Sequence, residues 1–495
     1  MGESGVGEKR GGAVEFQESL DQPHRMAIAD LPIRRQAAGG LRQKVGGQIR
    51  SYLTEFACRG ATVQIQGTFM QTFTTARCPA LVLRISLGLW LGSLVLPAAD
   101  WPQWRGPQRN GISAETGLLK EWPKEGPPLV WQVKDIGSGY STPAVVGDRI
   151  YLLSNQGLDN EFVQALEAKD GKRVWSQRIG KVGNPDQQPS YPAARSTPTV
   201  DGEWLFALGS DGDLACLERL NGKLRWQKKL RKDFGGQPGV WAYSESPLID
   251  GEAVVCTPGG GDATMVALNK KTGELIWKCA VSGGEQAAYT SAQAIEVGGV
   301  RQYIQMLQKG LVGVEAKTGK LLWRYDRTAK GSPAVIPTPV ADGDSIYSAG
   351  ARSGGGGVRL KADGGKFEAE QVYYSPKLPT SVGGAVKVGE YLYGTSAGVL
   401  LCLEFKTGTV KWDDRSIAPA SLCYADGRLC LHGENGEVAL VEATPEAYRE
   451  KGRFKPTDPP DRGASKSWAY PVIANGRLYI RDLGTLWCYD IKARK

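Results

Sequence analysis

One phrase is written five times along this chain, and its spacing limits what the chain can fold into. "KDGKRVW" (169–175), "LNGKLRW" (220–226), "KTGELIW" (271–277), "KTGKLLW" (317–323) and "KTGTVKW" (406–412) each place a tryptophan four residues after a turn glycine. The tryptophans Trp175, Trp226, Trp277, Trp323 and Trp412 are separated by 51, 51, 46 and 89 residues, the last gap holding two periods. The missing copy is "ADGGKFEAEQVY" (362–373), where Tyr373 takes the place of tryptophan. A second phrase opens the units: "STPAVVGDRIYLL" at 141, "STPTVDGEWLFAL" at 196, "SPLIDGEAVVC" at 246, "TPVADGDSIYSA" at 338 and "YPVIANGRLYI" at 470. Weaker starts lie near Ala292, Ala385 and Leu422, which makes eight units.

Within a unit, apolar and aromatic residues alternate in runs of five or six, and Asp-Gly or Asn-Gly separates the runs. That is the hairpin signature, with glycine supplying positive φ. Four short strands and their turns fill the period. Such a unit cannot bury both faces of its own sheet, so the units must stack, and four-stranded units of this length close radially. The expected fold is all-β, an eight-bladed β-propeller of four-stranded antiparallel blades. The last unit supplies three strands, whereas "PPLVWQVKD" (127–135) near the other end is a strand without a unit. The N-terminal strand is therefore expected to join the last blade and close the ring, leaving no open edge there. In this scheme Trp131, Trp175, Trp226, Trp277, Trp323 and Trp412 are structural wedges between blades. Ala165, Cys216, Ala267, Gly313 and Cys402, each six residues before the turn glycine, are the small residues that make room.

Ahead of the repeats the text is different. Residues 1–69 are polar, rich in Gly and Arg and without sustained period; they read as a disordered extension or a mis-assigned start preceding Met70. Arg77 and Arg84 then precede the 12-residue apolar run "ISLGLWLGSLVL" (85–96) and "PAAD". A basic flank, a short apolar run and small residues after it form a secretory signal. Residues 70–99 are thus expected to be a signal peptide cut near 98–99, with 100–495 as a single propeller in a secreted or periplasmic protein. The apolar run is short for a permanent span, so no membrane span is expected in the mature chain.

Charge excludes one class of partner. The formal net charge is +9. Residues 1–99 hold 11 of the 61 Lys/Arg and 7 of the 52 Asp/Glu, leaving 50 against 45 beyond them. Interspersed charge at +5 lacks the concentrated basic stripe of a nucleic-acid surface. The seven cysteines after residue 99 are scattered and odd in number, unlike a disulfide framework. His432, in "HGENGE", is the one histidine of that region, so neither a catalytic triad nor a multi-histidine metal site is expected. "SDGD" (210–213) lacks the remainder of a calcium loop. The glycine run 354–357 lacks the Lys-Ser/Thr of a phosphate loop.

In an up-and-down blade the first-to-second and third-to-fourth turns share one face, here all tight. The opposite face receives the long connections: "DIGSGYS" (135–141), "GNPDQQPSYPAARS" (183–196), "FGGQPGVWAYSES" (234–246), "SGGEQAAYTS" (282–291), "GARSGGGG" (350–357) and "DRGASKSWAYP" (461–471). Loops on a rigid scaffold are where binding usually sits. Tyr140, Tyr191, Trp241, Tyr243, Tyr289, Trp468 and Tyr470 offer rings to a planar ligand, and Arg195, Glu245, Glu285, Arg352 and Lys466 offer charge. A small molecule or a protein is the expected ligand of that face.

The A-x-x-x-x-[DTN]-G-x-x-x-W repeat resembles that of the pyrroloquinoline quinone (PQQ) repeat propellers, the quinoprotein alcohol dehydrogenase-like group. "DWPQWRGPQRNGISAETGLLKEWPKEGPPLVW" (100–131) is similar to the opening of secreted bacterial PQQ-like propellers. The resemblance spans about residues 100–495. It implies either a binding or scaffold module or a quinoprotein alcohol or sugar dehydrogenase using PQQ with Ca2+. The resemblance implies adjacent cysteines at the cofactor for dehydrogenases of the large family type, and a C-x-x-C-H haem site for some; this chain has neither, although soluble PQQ enzymes without the cysteine pair exist. Their calcium ligands and base match no motif here, so no catalytic residue is assigned.

Overall fold

The computed structural model describes residues 99–494 apart from 188–190 and 284. The expectations for residues 1–69 and for the signal segment fall outside that range, save for Ala99. Eight four-stranded antiparallel sheets succeed one another along the chain. Blade 1 runs from Ala144 to Gly180, blade 2 from Thr199 to Lys229, blade 3 from Leu248 to Cys279 and blade 4 from Gln293 to Tyr325. Blade 5 spans Val340 to Ser375, blade 6 Ala385 to Arg415 and blade 7 Ala420 to Phe454. Blade 8 takes three strands from Val472 to Asp490, and its outer strand is Leu129–Val133, paired antiparallel with Thr485–Asp490. The ring closes as the unpaired strand requires. Among the described residues the one helix is Leu230–Phe234, and no helix is long and apolar enough to cross a membrane.

The repeated phrase is a joint between blades. In the outer strand each wedge lies directly opposite a small residue: Trp175 opposite Ala165, Trp226 opposite Cys216, Trp277 opposite Ala267, Trp412 opposite Cys402 and Trp131 opposite Cys488. A β-bulge follows each of these pairs, which re-aims the aromatic toward the next blade. There its indole N–H donates to a carbonyl at the third-to-fourth hairpin. Trp131 reaches Ala168 (3.0 Å), Trp175 Arg219 (3.2 Å), Trp226 Lys270 (2.9 Å), Trp277 Ala316 (2.9 Å) and Trp412 Thr444 (2.9 Å). Tyr373 does the same work with its hydroxyl, donating to Phe405 (2.7 Å). The turn glycine of the receiving blade is the seat: a Cβ on Gly273 would lie 2.8 Å from the Trp226 ring, and one on Gly319 2.6 Å from Trp277.

Two blades depart from this scheme. Trp323 donates to Gln302 of its own blade (2.7 Å), and the glycine opposite it, Gly313, leaves space for the indole to turn in. Its ring still packs with blade 5 residues such as Ile346 and Val358. In blade 7 the wedge position is Gly452, opposite Leu440, and Trp122 from the N-terminal segment lies against it and Phe454. Two local readings also change. The glycine run 354–357 belongs to the ten-residue strand Gly354–Asp363, because bare backbone at Gly355 and Gly357 accommodates the rings of Tyr347 and Tyr373. His432 lies buried on the strand Arg428–Gly433, not in the turn that follows.

The hub is filled by the chain's own N-terminal segment. Trp101 pairs with Val145 of blade 1, the Pro102 carbonyl accepts from Val200 of blade 2, and Arg109 donates to Ser246 and Pro247 at blade 3. Gln293 of blade 4 donates to the Arg109 carbonyl, Arg105 donates to Ala385 of blade 6, and Gly111 and Ser113 pair with Tyr424 of blade 7. These contacts involve the first strand of each blade or the residues leading into it. Residues 101–113 are therefore a loop thrust along the axis from the tight-turn face, where Asp100 accepts from the Gly147 amide.

Candidate functional site

The connections between blades converge above the tip of that loop. Hydroxyls from the repeated opening phrase stitch them together: Thr197 N–H donates to Ser246 Oγ (2.9 Å), Ser246 N–H to Ser291 Oγ (2.9 Å) and Tyr470 N–H to Thr142 Oγ1 (3.0 Å). Above this frame lies a cup of about 240 Å³. Seven of the residues expected to bind lie in its wall: Tyr140, Tyr191, Arg195, Trp241, Tyr289, Trp468 and Tyr470. They come from five connections that are far apart in sequence.

The rings are set against one another. Tyr140 and Tyr191 each lie 4.9 Å, centroid to centroid, from Trp468, and Trp241 and Tyr289 lie 6.0 Å apart. Trp468 is fixed by its N–H, which donates to Glu434 Oε1 (2.9 Å), and by its loop. There Ser467 bonds to Nε2 of His432 (3.0 Å) while the Ala469 carbonyl meets Nδ1 (2.9 Å). Burial lowers the His432 pKa, so the imidazole is a neutral clamp. The backbone N–H of Trp241 donates to Tyr289 Oη (3.0 Å). Arg195 donates through Nη2 to the Tyr191 carbonyl (2.6 Å), and its guanidinium lies 5.9 Å from the centroid of Tyr140. Its Nε is sequestered from water without a hydrogen-bond partner, and burial lowers its pKa.

Other expected site residues serve elsewhere. Tyr243 is buried beneath the wall and donates to the Pro258 carbonyl (2.8 Å). Glu245 is buried and accepts from Thr257 N–H and Oγ1 and from Gln305; burial pushes its carboxyl up to about 7. Glu285 forms a buried ion pair with Arg324 (2.6 Å) and accepts from Lys309 N–H. Arg352 and Lys466 are exposed loop residues away from the cup. These side chains are taken up in packing and hydrogen bonds around the blades or turn out to water.

The floor was not foreseen. Trp104, near the tip of the axial loop, lies 4.5 Å from Tyr470, edge to face, and Ser244, Ala334, Ile336 and Val382 complete the lining. Just below, Arg105 is fully buried. Its Nη2 donates to Asn110 (3.1 Å) and Ala385, its Nε and Nη1 have no partner, and burial lowers its pKa. The signal for Trp104 was present as "WRG" in a stretch that belongs to no blade, but nothing local shows where such a stretch goes.

The comparisons with known proteins agree with this architecture. A family model described as outer membrane protein assembly factor BamB matches residues 112–239 and 159–414, the second match alone exceeding half of the chain. The chain belongs to this family of PQQ-repeat propellers. Among curated relatives, BamB of Burkholderia pseudomallei is 25% identical over 351 residues, 62% of this chain and 86% of that protein. BamB of Moranella endobia is 27% identical over 125 residues, spanning 24% of this chain and 31% of that one. Quinoprotein alcohol dehydrogenase PedH of Pseudomonas putida is 25% identical over 276 residues, 52% of this chain and 43% of the enzyme. The chain thus spans less than two thirds of the latter two proteins. Two solved structures share the fold: BamB from Moraxella catarrhalis and a europium-containing methanol dehydrogenase. The first has a TM-score of 0.53 at 15% identity, covering 73% of this chain and 99% of that one. The second has a TM-score of 0.58 at 11% identity, covering 77% and 89%.

The family name raises the question of PQQ, a planar tricarboxylate that works with a bound cation. Among the described residues this propeller's cup has no carboxylate in its wall, and no group of three or more His, Cys, Asp or Glu is placed to hold a metal ion. One wall guanidinium faces what would be three carboxylates, and the seven described cysteines are buried and unpaired. These residues do not fit PQQ with Ca2+.

Proposed function

We propose that this chain is an exported binding or scaffold propeller that holds its ligand in the aromatic cup on its loop-rich face. The observation that carries the reading is the chemistry of that cup. Among the described residues, seven aromatic side chains surround a single guanidinium, and no carboxylate, imidazole or thiol lines the wall to move a proton or attack a substrate. Stacked, partly buried tyrosine and tryptophan give large contact area at little entropic cost, which suits recognition. The BamB relatives favour the same reading, since they are assembly factors.

The dehydrogenase alternative is tested by adding PQQ and CaCl2 to the purified protein. We expect no change in PQQ absorbance and no dye reduction with alcohols or sugars. Micromolar PQQ binding with turnover would overturn the binding reading. The cup itself is tested by screening small ring compounds for quenching of tryptophan fluorescence. Quenching should be lost in Trp241→Ala/Trp468→Ala, and binding that survives this double change would place the site elsewhere.

A further inference from the structure

Resting on the binding reading above, we propose that the cup selects a six-membered ring that carries a single carboxylate. The size comes first. At about 240 Å³ the cup is smaller than the roughly 300–1,000 Å³ of drug-sized sites, and one substituted ring fills it. Its wall carries two groups of rings, Trp468 with Tyr140 and Tyr191, and Trp241 with Tyr289. Such rings stack on aromatic rings and on the apolar faces of sugars alike.

Charge narrows the class. An aromatic cage by itself attracts cations, but here Arg195 already lies over Tyr140 and repels a second cation. Its charge is unbalanced. Among the described residues no carboxylate forms an ion pair with Arg195 or with Arg105 below the floor, and nitrogens of both guanidiniums lack partners. Arg105 Nη1 and Tyr470 Oη flank Gly384, lying 3.4 and 3.6 Å from the position of a Cβ there, which puts the second charge directly behind the cup wall. The carboxyls of this region meet other groups: Glu434 accepts from the Trp468 indole N–H and Asp482 pairs with Arg462. Glu161 is buried behind Arg195, and loss of hydration pushes it up to about 8 while it accepts from Ser210 N–H and Oγ. The cup is therefore an aromatic slot with one cation in its wall that has no ion-pair partner among the described residues. The axial loop closes the floor, so a ligand enters from the loop face alone and its carboxylate turns toward Arg195.

Two sources share this chemistry, acidic sugars and aromatic acids, and both are used as probes against the full-length protein. The pairs are 4-hydroxybenzoate with 4-hydroxybenzamide, and D-glucuronate with methyl D-glucoside; choline is the cationic control. Calorimetry and tryptophan fluorescence should give at least one acid bound about tenfold or more tightly than its neutral partner, with the preference shrinking as salt is raised. Whichever acid binds identifies the source. Arg195→Gln should abolish the preference for the acid over its neutral partner, and Arg195→Lys should keep part of it. Should Arg195→Gln fail to fold, the salt dependence and Arg195→Lys still decide. Equal binding of acid and neutral partner, or tighter binding of choline, overturns the ligand class and leaves the cup a binding site. No binding of any ring overturns both readings.

Discussion

Gly319→Ala puts the blade joint to a quantitative test. Gly319 has φ +75°, and a Cβ there would stand 2.6 Å from Cε3 of Trp277. Gly331, in the connection to blade 5, has φ +76° with nothing within 4 Å of its Cβ position. Both substitutions force an L residue into the left-handed region, at about 1–2 kcal/mol. Only the first also overpacks. The obstacle is the fused ring of an indole held by its bond to the Ala316 carbonyl, not the free end of a flexible side chain. Overpacking of this kind adds about 1–3 kcal/mol. Gly331→Ala should thus cost about 1–2 kcal/mol and Gly319→Ala about 2–5 kcal/mol. Urea midpoints followed by circular dichroism measure the difference. The excess must disappear when the substitution is repeated in Trp277→Ala, itself destabilised by about 3–5 kcal/mol. Equal losses at the two glycines, or an excess that survives removal of the indole, would refute the seat.

Stability should also fall as pH rises from about 4.5 to 7. Burial pushes Glu161 up to about 8 and Glu245 up to about 7, so across this window the folded chain keeps protons that the unfolded chain releases near pH 4.3. Each group contributes up to about 1.4 kcal/mol per pH unit. Glu161→Gln/Glu245→Gln should flatten the melting-temperature profile between pH 5 and 7, and an unchanged slope would mean both carboxyls are ionised in the fold. Trp122→Ala should cost about 3–5 kcal/mol, as much as loss of a repeat tryptophan, because it stands in blade 7 where Gly452 leaves the wedge position bare. A loss below 1 kcal/mol in urea denaturation would show that the position is not a joint.

The blades were legible because their signal is local and repeated. A turn glycine, a tryptophan four residues later and a small residue six before it recur within one hairpin, and pairs such as Ala267 with Trp277 lie in direct register. The tyrosine substitute in blade 5 was readable for the same reason. Direction was harder. Tyr243 and Glu245 lie on the same connection as Trp241, yet their side chains turn away from the cup toward Pro258 and Thr257. Alternation along an irregular loop does not report which way a side chain faces. The floor of the cup was illegible for a different reason. Trp104 and Arg105 lie in an aperiodic stretch whose partners, Ala385 and Tyr470 among them, are hundreds of residues away.

That stretch explains why closure and recognition belong together in this propeller. The N-terminal segment supplies three parts that no repeat contains: the outer strand of blade 8, Trp122 for the empty wedge of blade 7, and Trp104 for the floor of the cup. Closing the ring uses the same joint as every ordinary neighbour, because Trp131 of that strand donates to Ala168 and stands over Gly171 of blade 1. Between Trp104 and Trp131 the segment leaves the hub, crosses the tight-turn face through Leu118 and Leu119, and reaches the outer edge. The axial loop is held by the first strands of the earlier blades, whereas Trp468 and Tyr470 reach the cup from the connection into blade 8. Recognition thus joins the two ends of the propeller: Trp104 of the N-terminal segment meets Tyr470, edge to face, at the floor of the cup.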